Sequence, residues 1–444
     1  MNPIASSFRQ INGPFTRALV IENPDPSLDQ HLASMGIDVE RLDEVPDEDD
    51  LVRVLERGQH HLIFKRSRVP INERVVSASR ELAAVMLCCI GHDSVDKHAC
   101  ARHGVMVTHD PVSNGRSVAE MVIGELIVLS RRIFDSVIEM SESVWRKNNA
   151  GRYEVQGKRL GIVGLGNIGR QVAKLSQALG MEVAFFDTSE LSQEVGLAMG
   201  YRSLETLDEL FSWADFVTMH VSADDVHGNS NAGMITAEHL AMMADKSYEG
   251  PRIFMNLARG VVVEPPVLRK AIESGHVHYA ITDVFPDEPA AAGDSGWVNP
   301  YQGEPRIFAT PHIGAATREA QPRIAKYVAK TTQLLSEYGI VRNCVFAPRT
   351  KIQFRAPSAK SVLAVVHADT RGTKKAVDDA IYKAGANNLR SMHVDFPAFG
   401  IAYDLSALDR TLSEEQCLEL VTYAQQLTGD EHAIRLIRNI PLSS

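Results

Sequence analysis

From Leu160 to Asp187 the chain reads as an apolar stretch, a glycine turn, a helical stretch and a second apolar stretch ending on an acid. The turn is Gly164-Leu165-Gly166-Asn167-Ile168-Gly169, a G-x-G-x-x-G pattern. Its glycines allow a tight turn, close approach of backbone to a pyrophosphate, and close packing of helix on strand. With 30 glycines in 444 residues the spacing alone arises by chance roughly 0.1 times per chain. The context is what constrains the fold. Leu160 to Val163 reads as a buried strand, Ile168 to Leu179 as a helix whose N-terminus can face a phosphate, and Glu182 to Phe186 as a second strand that delivers Asp187. A carboxylate there accepts from ribose hydroxyls and repels the extra phosphate of NADP, so NAD is the expected cofactor.

Around this βαβ unit the pattern stays α/β. The clusters RALVIE after Thr16 and HHLIFK before Arg66 read as strands separated by a helix-compatible acidic stretch, Asp43 to Arg57. Leu82 to Ile90 and Val105 to Thr108 follow, the latter leading into the turn-rich string His109 to Gly115. The spacing Ser117-Val118-Ala119-Glu120 reads as a capping box opening a long helix to about Ser143. Further strands are expected at Phe216 to His220, Ile253 to Asn256, Ala280 to Asp283 and Ile307 to Ala309, making one large parallel sheet. After the helical Glu319 to Tyr338, Ala347 to Ser361 has linker composition. The tail then gives strand Val362 to Ala368, helix Lys374 to Ala384, strands Leu389 to Phe396 and Gly400 to Ser406, helix Ser413 to Leu427 and strand Ala433 to Ile437. That βαββαβ order is a small ferredoxin-like unit.

Composition narrows the function classes. About three domains fit the length. Lys plus Arg number 46 against 56 Asp plus Glu, a net charge of −10, which sets aside a broad nucleic-acid or anionic-membrane surface. The opening MNPIASSFRQ holds no apolar core of signal-peptide length, and Leu82 to Ile90 falls short of the roughly 20 residues a bilayer span needs. Cys88, Cys89, Cys100, Cys344 and Cys417 are scattered with no C-x-x-C, so a reduced, cytoplasmic setting is expected rather than a disulfide framework or a structural zinc. The 16 histidines show no H-E-x-x-H pairing, and no metal is expected.

Three ionisable residues fall just after predicted strands: Arg259 in NLARG from Asn256, Glu288 in DVFPDEP from Asp283, and His312 in TPHIG from Thr310. Strand C-terminal ends are where such sheets carry their ligands, so the three can converge. A guanidinium suits a substrate carboxylate, and a His held by a carboxylate suits acid–base work near neutral pH. Taken singly, each also reads as an ordinary ion pair or turn residue.

Together with GLGNIG, Asp187, SNGRSVAEMVIGEL from Ser113 and TPHIGAATREA from Thr310, these segments resemble the D-2-hydroxyacid dehydrogenase family, most closely its bacterial phosphoglycerate dehydrogenase branch. The resemblance implies an oxidoreductase, a cytoplasmic homotetramer, with NAD carrying the hydride. Arg259 would bind the substrate carboxylate and polarise the C2 oxygen, His312 would handle that oxygen's proton, and Glu288 would orient and charge His312. On the NAD side it implies Gly164, Gly166, Asn167, Ile168, Gly169, Asp187, His220, Ala258, Asp283 and His312. It also implies a discontinuous substrate domain, residues 1–112 with 313–340, around an NAD-binding Rossmann domain at 113–312. A linker at 341–360 and an ACT-like regulatory domain at 361–444 would follow, with the cleft between the first two domains. Lys65, Arg66, Ser67 and Arg68 match the branch's phosphate-binding position, Gly91 and His92 lie in the loop that receives the carboxylate, and Asn114 and Lys147 match other substrate contacts. Trp145 is expected to pack against the structure or another subunit.

The fold class is thus expected to be α/β: two doubly wound parallel-sheet, Rossmann-like domains plus the ferredoxin-like tail. That tail resembles ACT domains, which in this branch bind L-serine across a subunit interface. The family's turn pattern stands here as His367-Ala368-Asp369-Thr370-Arg371-Gly372, with Asn387 at the partner position. Asp369 in place of an amide would repel the effector's carboxylate and Arg371 replaces a proline, so a changed effector or a structural tail stays open. Ala258 replaces a frequent Ser, Ser222 a frequent Pro, and Met242 to Arg252 is longer than usual. The implied reaction is oxidation of 3-phospho-D-glycerate to 3-phosphohydroxypyruvate, the entry to serine synthesis. Reduction of another 2-oxo acid (hydroxypyruvate, glyoxylate or 2-oxoglutarate) and a non-enzymatic NAD sensor are the competing readings.

Overall fold

The computed structural model describes residues 8–225, 229–244, 250–289, 296–347, 350–354 and 356–442. They fall into two compact units, Met1–Ser113 with Gln321–Ser444, and Asn114–Ala320. The first unit opens with β1 (Arg9–Asn12), followed by β2 (Arg17–Val20), β3 (Asp38–Arg41), β4 (Leu62–Lys65), β5 (Ala84–Leu87) and β6 (Met106–His109). The last five make an all-parallel sheet in the order β3-β2-β4-β5-β6, the doubly wound 2-1-3-4-5 arrangement. Every residue of β4 and β5 is buried, as strands covered on both faces require. Sequence reading passed over β3 because Asp38-Val39-Glu40-Arg41 is a charged, partly exposed edge strand.

The second unit holds β7 (Arg159–Val163), β8 (Glu182–Phe186), β9 (Arg202–Ser203), β10 (Phe216–Met219), β11 (Ile253–Asn256), β12 (Tyr279–Thr282) and β13 (Ile307–Ala309). Their order is β13-β12-β11-β10-β7-β8-β9, every pairing parallel. Counted from β7 this is the 3-2-1-4-5-6 dinucleotide-binding order with a seventh strand added. One face packs on Leu160, Val172 and Phe185, the other on Leu210, Phe254 and Leu268. The order reverses between β7 and β10, and a ligand belongs in the crevice at that switch point.

The long helix expected over Ser117 to Ser143 is two helices, Gly115–Ser130 and Ile133–Ser141. Arg132 breaks it by adopting φ 52°, and Tyr153 N–H donates to the Ser130 carbonyl as a later segment folds back onto the break. Nor does Ser117 cap. Asn114 takes the N-cap position, the Ser117 and Thr317 hydroxyls bond at 2.9 Å, and Glu120 accepts from Arg116.

The chain returns to the first unit along the helix Ala320–Tyr338, then forms β14 (Ser361–Ala368), β15 (Asn388–Phe396), β16 (Ile401–Leu408) and β17 (Ile434–Pro441). The antiparallel order β17-β14-β16-β15 is ferredoxin-like, with helices Thr373–Lys383 and Glu414–Thr428 packed over Leu363, Val365 and Ile437. Two features were not legible in the sequence. β1 joins this sheet as a fifth strand, parallel to β17, with Arg9 opposite Leu436. And 341–347, within the expected linker, lies against β6: His109 N–H donates to the Asn343 carbonyl and Val345 N–H to the Val107 carbonyl. Residues 348, 349 and 355 of that expected linker lie outside the described residues.

The far face of the C-terminal sheet packs on the end of Ala320–Tyr338. There Arg438, 2% exposed, donates to the carbonyls of Leu335 (2.5 Å) and Ser336 (2.8 Å) with its guanidinium 3.7 Å from the Phe15 ring centroid. A cation at a helix C-terminus complements the macrodipole and satisfies carbonyls that the helix leaves open. Replacing it, as Arg438→Met, should lower unfolding free energy by about 2–4 kcal/mol, because the carbonyls stay buried without donors. Urea denaturation checks this; an unchanged midpoint would contradict it.

Candidate active site

After β7, Gly164 turns with φ 92°, and a Cβ there would sit 2.5 Å from the His220 carbonyl oxygen. A Cβ on Gly169 would sit 2.1 Å from the Gly164 oxygen, whereas one on Gly166 would meet nothing within 4 Å. Two glycines therefore close the turn and the middle one leaves open space at the N-terminus of helix Asn167–Ala178, as a pyrophosphate requires. At the end of β8, the Asp187 carboxylate accepts from Leu165 N–H (2.7 Å) and Ser189 N–H (2.8 Å). Each oxygen keeps a lone pair for a ribose hydroxyl. After β10, His220 Nε2 meets the Thr218 hydroxyl at 3.0 Å, Nδ1 is buried with no hydrogen-bond partner, and burial pulls the imidazole down to about 3. A neutral ring with one spare nitrogen suits a polar cofactor atom. These residues fit NAD. Of the named departures on this side, Ser222 donates to the Asp224 carbonyl and Ala258 is buried, while 245–249 of the long turn lie outside the described residues.

The three ionisable residues lie on the loops after β11, β12 and β13. His312 Nδ1 and Glu288 Oε2 are 2.7 Å apart. That hydrogen bond raises the imidazole above its ordinary value, against burial and the nearby Arg259 charge. Burial by itself would raise the Glu288 carboxyl, but the bond and charge of His312, helped by Phe285 N–H and Arg259, hold it below the usual range. Arg259 thus acts electrically on both partners. Its loop is stapled by Asn256, which is 1% exposed, donates to the Arg259 carbonyl at 2.9 Å and accepts from Ala258 N–H at 3.2 Å.

Two residues matter more for position than the motifs suggested. A Cβ on Gly260 would lie 1.9 Å from the Phe285 carbonyl carbon, so only glycine lets the Arg259 loop touch the Glu288 loop. His312 itself stands at φ 53°, an uncommon conformation for a side-chain-bearing residue. Buried Asp283 holds it there, accepting from the Thr310 hydroxyl (2.6 Å), Ile313 N–H (2.8 Å) and Gly314 N–H (2.7 Å). Sequence reasoning missed Glu125, whose carboxyl burial and the Asp283 charge push up to about 7, and whose Oε2 is buried without a hydrogen-bond partner.

In the first unit the candidate substrate residues need one correction. Lys65 is not a free cation of the phosphate clamp: its side chain is fully buried and its ammonium donates to Ser94 Oγ (2.7 Å) and the Arg66 carbonyl (3.0 Å), 3.5 Å from Glu22. Glu22 in turn accepts from Arg68 N–H (3.1 Å) and Val69 N–H (2.6 Å). The Lys65–Glu22 pair is therefore a strut between the Arg66–Arg68 loop and the loop carrying Gly91, His92 and Ser94. Arg66 is partly buried, and Ser67 and Arg68 are exposed. In the second unit Asn114 is 7% exposed with Oδ1 unbonded, while Lys147 is exposed, as is Trp145 at 78%.

The effector set is not brought together within one chain. His367 is buried and both its nitrogens are occupied, by the Ala368 carbonyl (2.8 Å) and Asp404 (2.9 Å). As an effector contact it is corrected to an internal residue. Asp369 is exposed at that same end of the sheet, and Asn387 precedes β15 at the opposite end, beside Leu408, roughly 20 Å away along the strands.

A dinucleotide-binding sheet carrying a hydrogen-bonded His–Glu pair and an arginine at its strand ends has the parts of an NAD-dependent oxidoreductase. Residues 123–314 match the D-isomer specific 2-hydroxyacid dehydrogenase NAD-binding domain. The chain is 33% identical over 373 residues to D-3-phosphoglycerate dehydrogenase 2 of Saccharomyces cerevisiae, covering 82% of this chain and 76% of that one. It is 34% identical over 328 residues to the Escherichia coli K12 D-3-phosphoglycerate dehydrogenase, covering 74% and 76%. In structure it is similar to a glyoxylate reductase from Paecilomyes thermophila, with TM-score 0.63, 23% identity, and coverage of 75% of this chain and 98% of that one. This chain belongs to the D-isomer specific 2-hydroxyacid dehydrogenase family. Among the described residues no helix is long and apolar enough to cross a membrane.

Replacing Glu288 by Gln removes the carboxylate hydrogen bond and the charge that raise His312. In the direction of 2-oxo acid reduction, which needs the imidazolium, the alkaline limb of the pH–rate profile should move to lower pH. A profile superimposable on wild type would show that Glu288 does not tune His312.

Proposed function

We propose that the chain oxidises 3-phospho-D-glycerate at C2 to 3-phosphohydroxypyruvate, the entry to L-serine synthesis. The observation that carries this reading is the 2.7 Å Glu288–His312 contact beside Arg259. NAD, held by the Gly164–Gly169 turn and Asp187, would supply the hydride acceptor for C2. With Nδ1 committed to Glu288, His312 has Nε2 left for the C2 hydroxyl proton, and the Glu288 carboxylate stabilises the imidazolium that results. Arg259 pairs with the substrate carboxylate through its planar fork, and its charge favours electron density on the C2 oxygen. In the reverse direction His312 returns the proton. The loop with Gly91 and His92 receives the carboxylate by its backbone, and Arg66 and Arg68 take the phosphate. The names of the yeast and bacterial relatives support this substrate. The sealing of Lys65 favours a second reading, an unphosphorylated 2-oxo acid, since it removes one expected phosphate cation.

A homotetramer, as the resemblance implies, has a candidate face in helix Ile133–Ser141, none of whose residues is buried. Val137 and Ile138 there are 61% and 58% exposed, an apolar face that a second copy would cover. Introducing charge as Val137→Glu with Ile138→Glu should give a smaller species by light scattering; an unchanged mass removes this face from the assembly. L-serine is not expected to inhibit, because His367 is committed internally.

NADH consumption with 3-phosphohydroxypyruvate, hydroxypyruvate, glyoxylate and 2-oxoglutarate side by side tests the substrate. The phosphorylated acid should be preferred, and Arg66→Ala with Arg68→Ala should raise its KM roughly tenfold or more while sparing hydroxypyruvate. Equal losses would remove the phosphate assignment. His312→Ala should lower turnover roughly 10²-fold or more with NAD binding retained.

A further inference from the structure

Three strands of the C-terminal sheet bring His367, His393 and Asp404 onto one another. Register sets His393 of β15 directly opposite Asp404 of β16. Asp404 also pairs with Val365 of β14, two residues before His367. The Asp404 carboxylate then meets His367 Nε2 with one oxygen at 2.9 Å and His393 Nδ1 with the other at 2.9 Å. The two rings lie 5.5 Å apart at 18°. His367 and Asp404 are each 1% exposed in their side chains, and His393, at 29%, lines the way in. Among the described residues this is the one group of three or more His, Cys, Asp or Glu whose ligand atoms lie within 4.8 Å of one another.

The outer nitrogens also face acceptors: His367 Nδ1 the Ala368 carbonyl at 2.8 Å, His393 Nε2 the Asp395 carboxylate at 2.7 Å. Four ring nitrogens thus face four oxygens, but two neutral imidazoles carry only two N–H groups. The outer pair satisfies the carbonyl and Asp395. With the outer nitrogens donating in this way, the inner pair turns two lone pairs toward the Asp404 carboxylate, which is the donor set of a cation site. Lys374 lies 3.6 Å from Asp404 and is also paired with Asp378, so it can yield its place.

We infer that His367 Nε2, His393 Nδ1 and the Asp404 carboxylate form a binding site for a divalent ion of the zinc class. Imidazole and carboxylate together suit Zn²⁺, and bonds of about 2.0–2.1 Å place neighbouring ligands roughly 3.3 Å apart, so each 2.9 Å contact need open by only about 0.4 Å. The surroundings are those of a metal site as well. Metal-bearing histidines characteristically donate their second N–H to a backbone carbonyl or a carboxylate, and Ala368 and Asp395 fill those two roles. Three protein ligands leave a fourth position for water. No ligand spacing in the sequence announces the site, because its members come from three strands rather than one helix face. Bound zinc would tie β14, β15 and β16 together at the end of the sheet where Asp369 is exposed.

The test uses the full chain stripped with a chelator and titrated with ZnCl2 alone, followed by calorimetry and elemental analysis after gel filtration. One zinc per chain is expected, with a rise in melting temperature. His393→Gln, a partly exposed position that should fold normally, is expected to weaken zinc binding roughly tenfold or more and abolish the thermal shift. Asp404→Asn should do the same. If the wild-type chain retains no stoichiometric zinc, or if His393→Gln retains as much as wild type, the site does not exist.

Discussion

One buried carboxylate organises the chemistry of this chain. Asp283 gathers the Thr310 hydroxyl and the amides of Ile313 and Gly314, and so keeps His312 in a left-handed conformation that the residue would not choose alone. Everything downstream depends on that turn. The imidazole can reach Glu288 only while the backbone stays bent. Glu288 in turn is placed by a loop that can touch the Arg259 loop only because residue 260 has no side chain. Glu288, His312 and Arg259 come from three separate strand ends, and three small structural facts, a carboxylate, a glycine and the Asn256 staple, bring them together.

The first unit shows the same economy in a different form. Lys65 and Glu22 are both charged and both fully buried, and their pairing is surrounded by further hydrogen bonds, the condition under which a buried ion pair is tolerated. What the pair fixes is loop geometry: one partner holds the carbonyl of Arg66 and the hydroxyl of Ser94, the other the amides of Arg68 and Val69. A positive cluster can therefore contain a residue whose task is architecture, while Ser67 and Arg68 beside it are exposed.

The dinucleotide half was legible because its requirements are local: three glycines, a following helix and an acid at the next strand end all lie within one short βαβ segment. Arg259, Glu288 and His312 were legible only as a set in family order, since each alone looks like a surface residue. The fate of Lys65 was not legible at all, because the deciding partner, Glu22, lies on another strand. The Ser117 capping pattern misled for a similar reason: Thr317, distant in sequence, claims the hydroxyl. β1 and β3 escaped notice because neither carries a run of apolar residues; in β1 only Arg9 and Ile11 turn inward.

The pairing of β1 with β17 has a consequence for how the protein is made. β1 finds its neighbour only in β17, which follows it by most of the described chain, with Arg9 against Leu436. At 5–20 residues per second that interval is roughly 20–85 s. Throughout it β1 has no ladder to join, although the parallel sheet that follows it can already assemble. This sheet therefore closes only once β17 has been made, and β1 is held by a strand that arrives long after it.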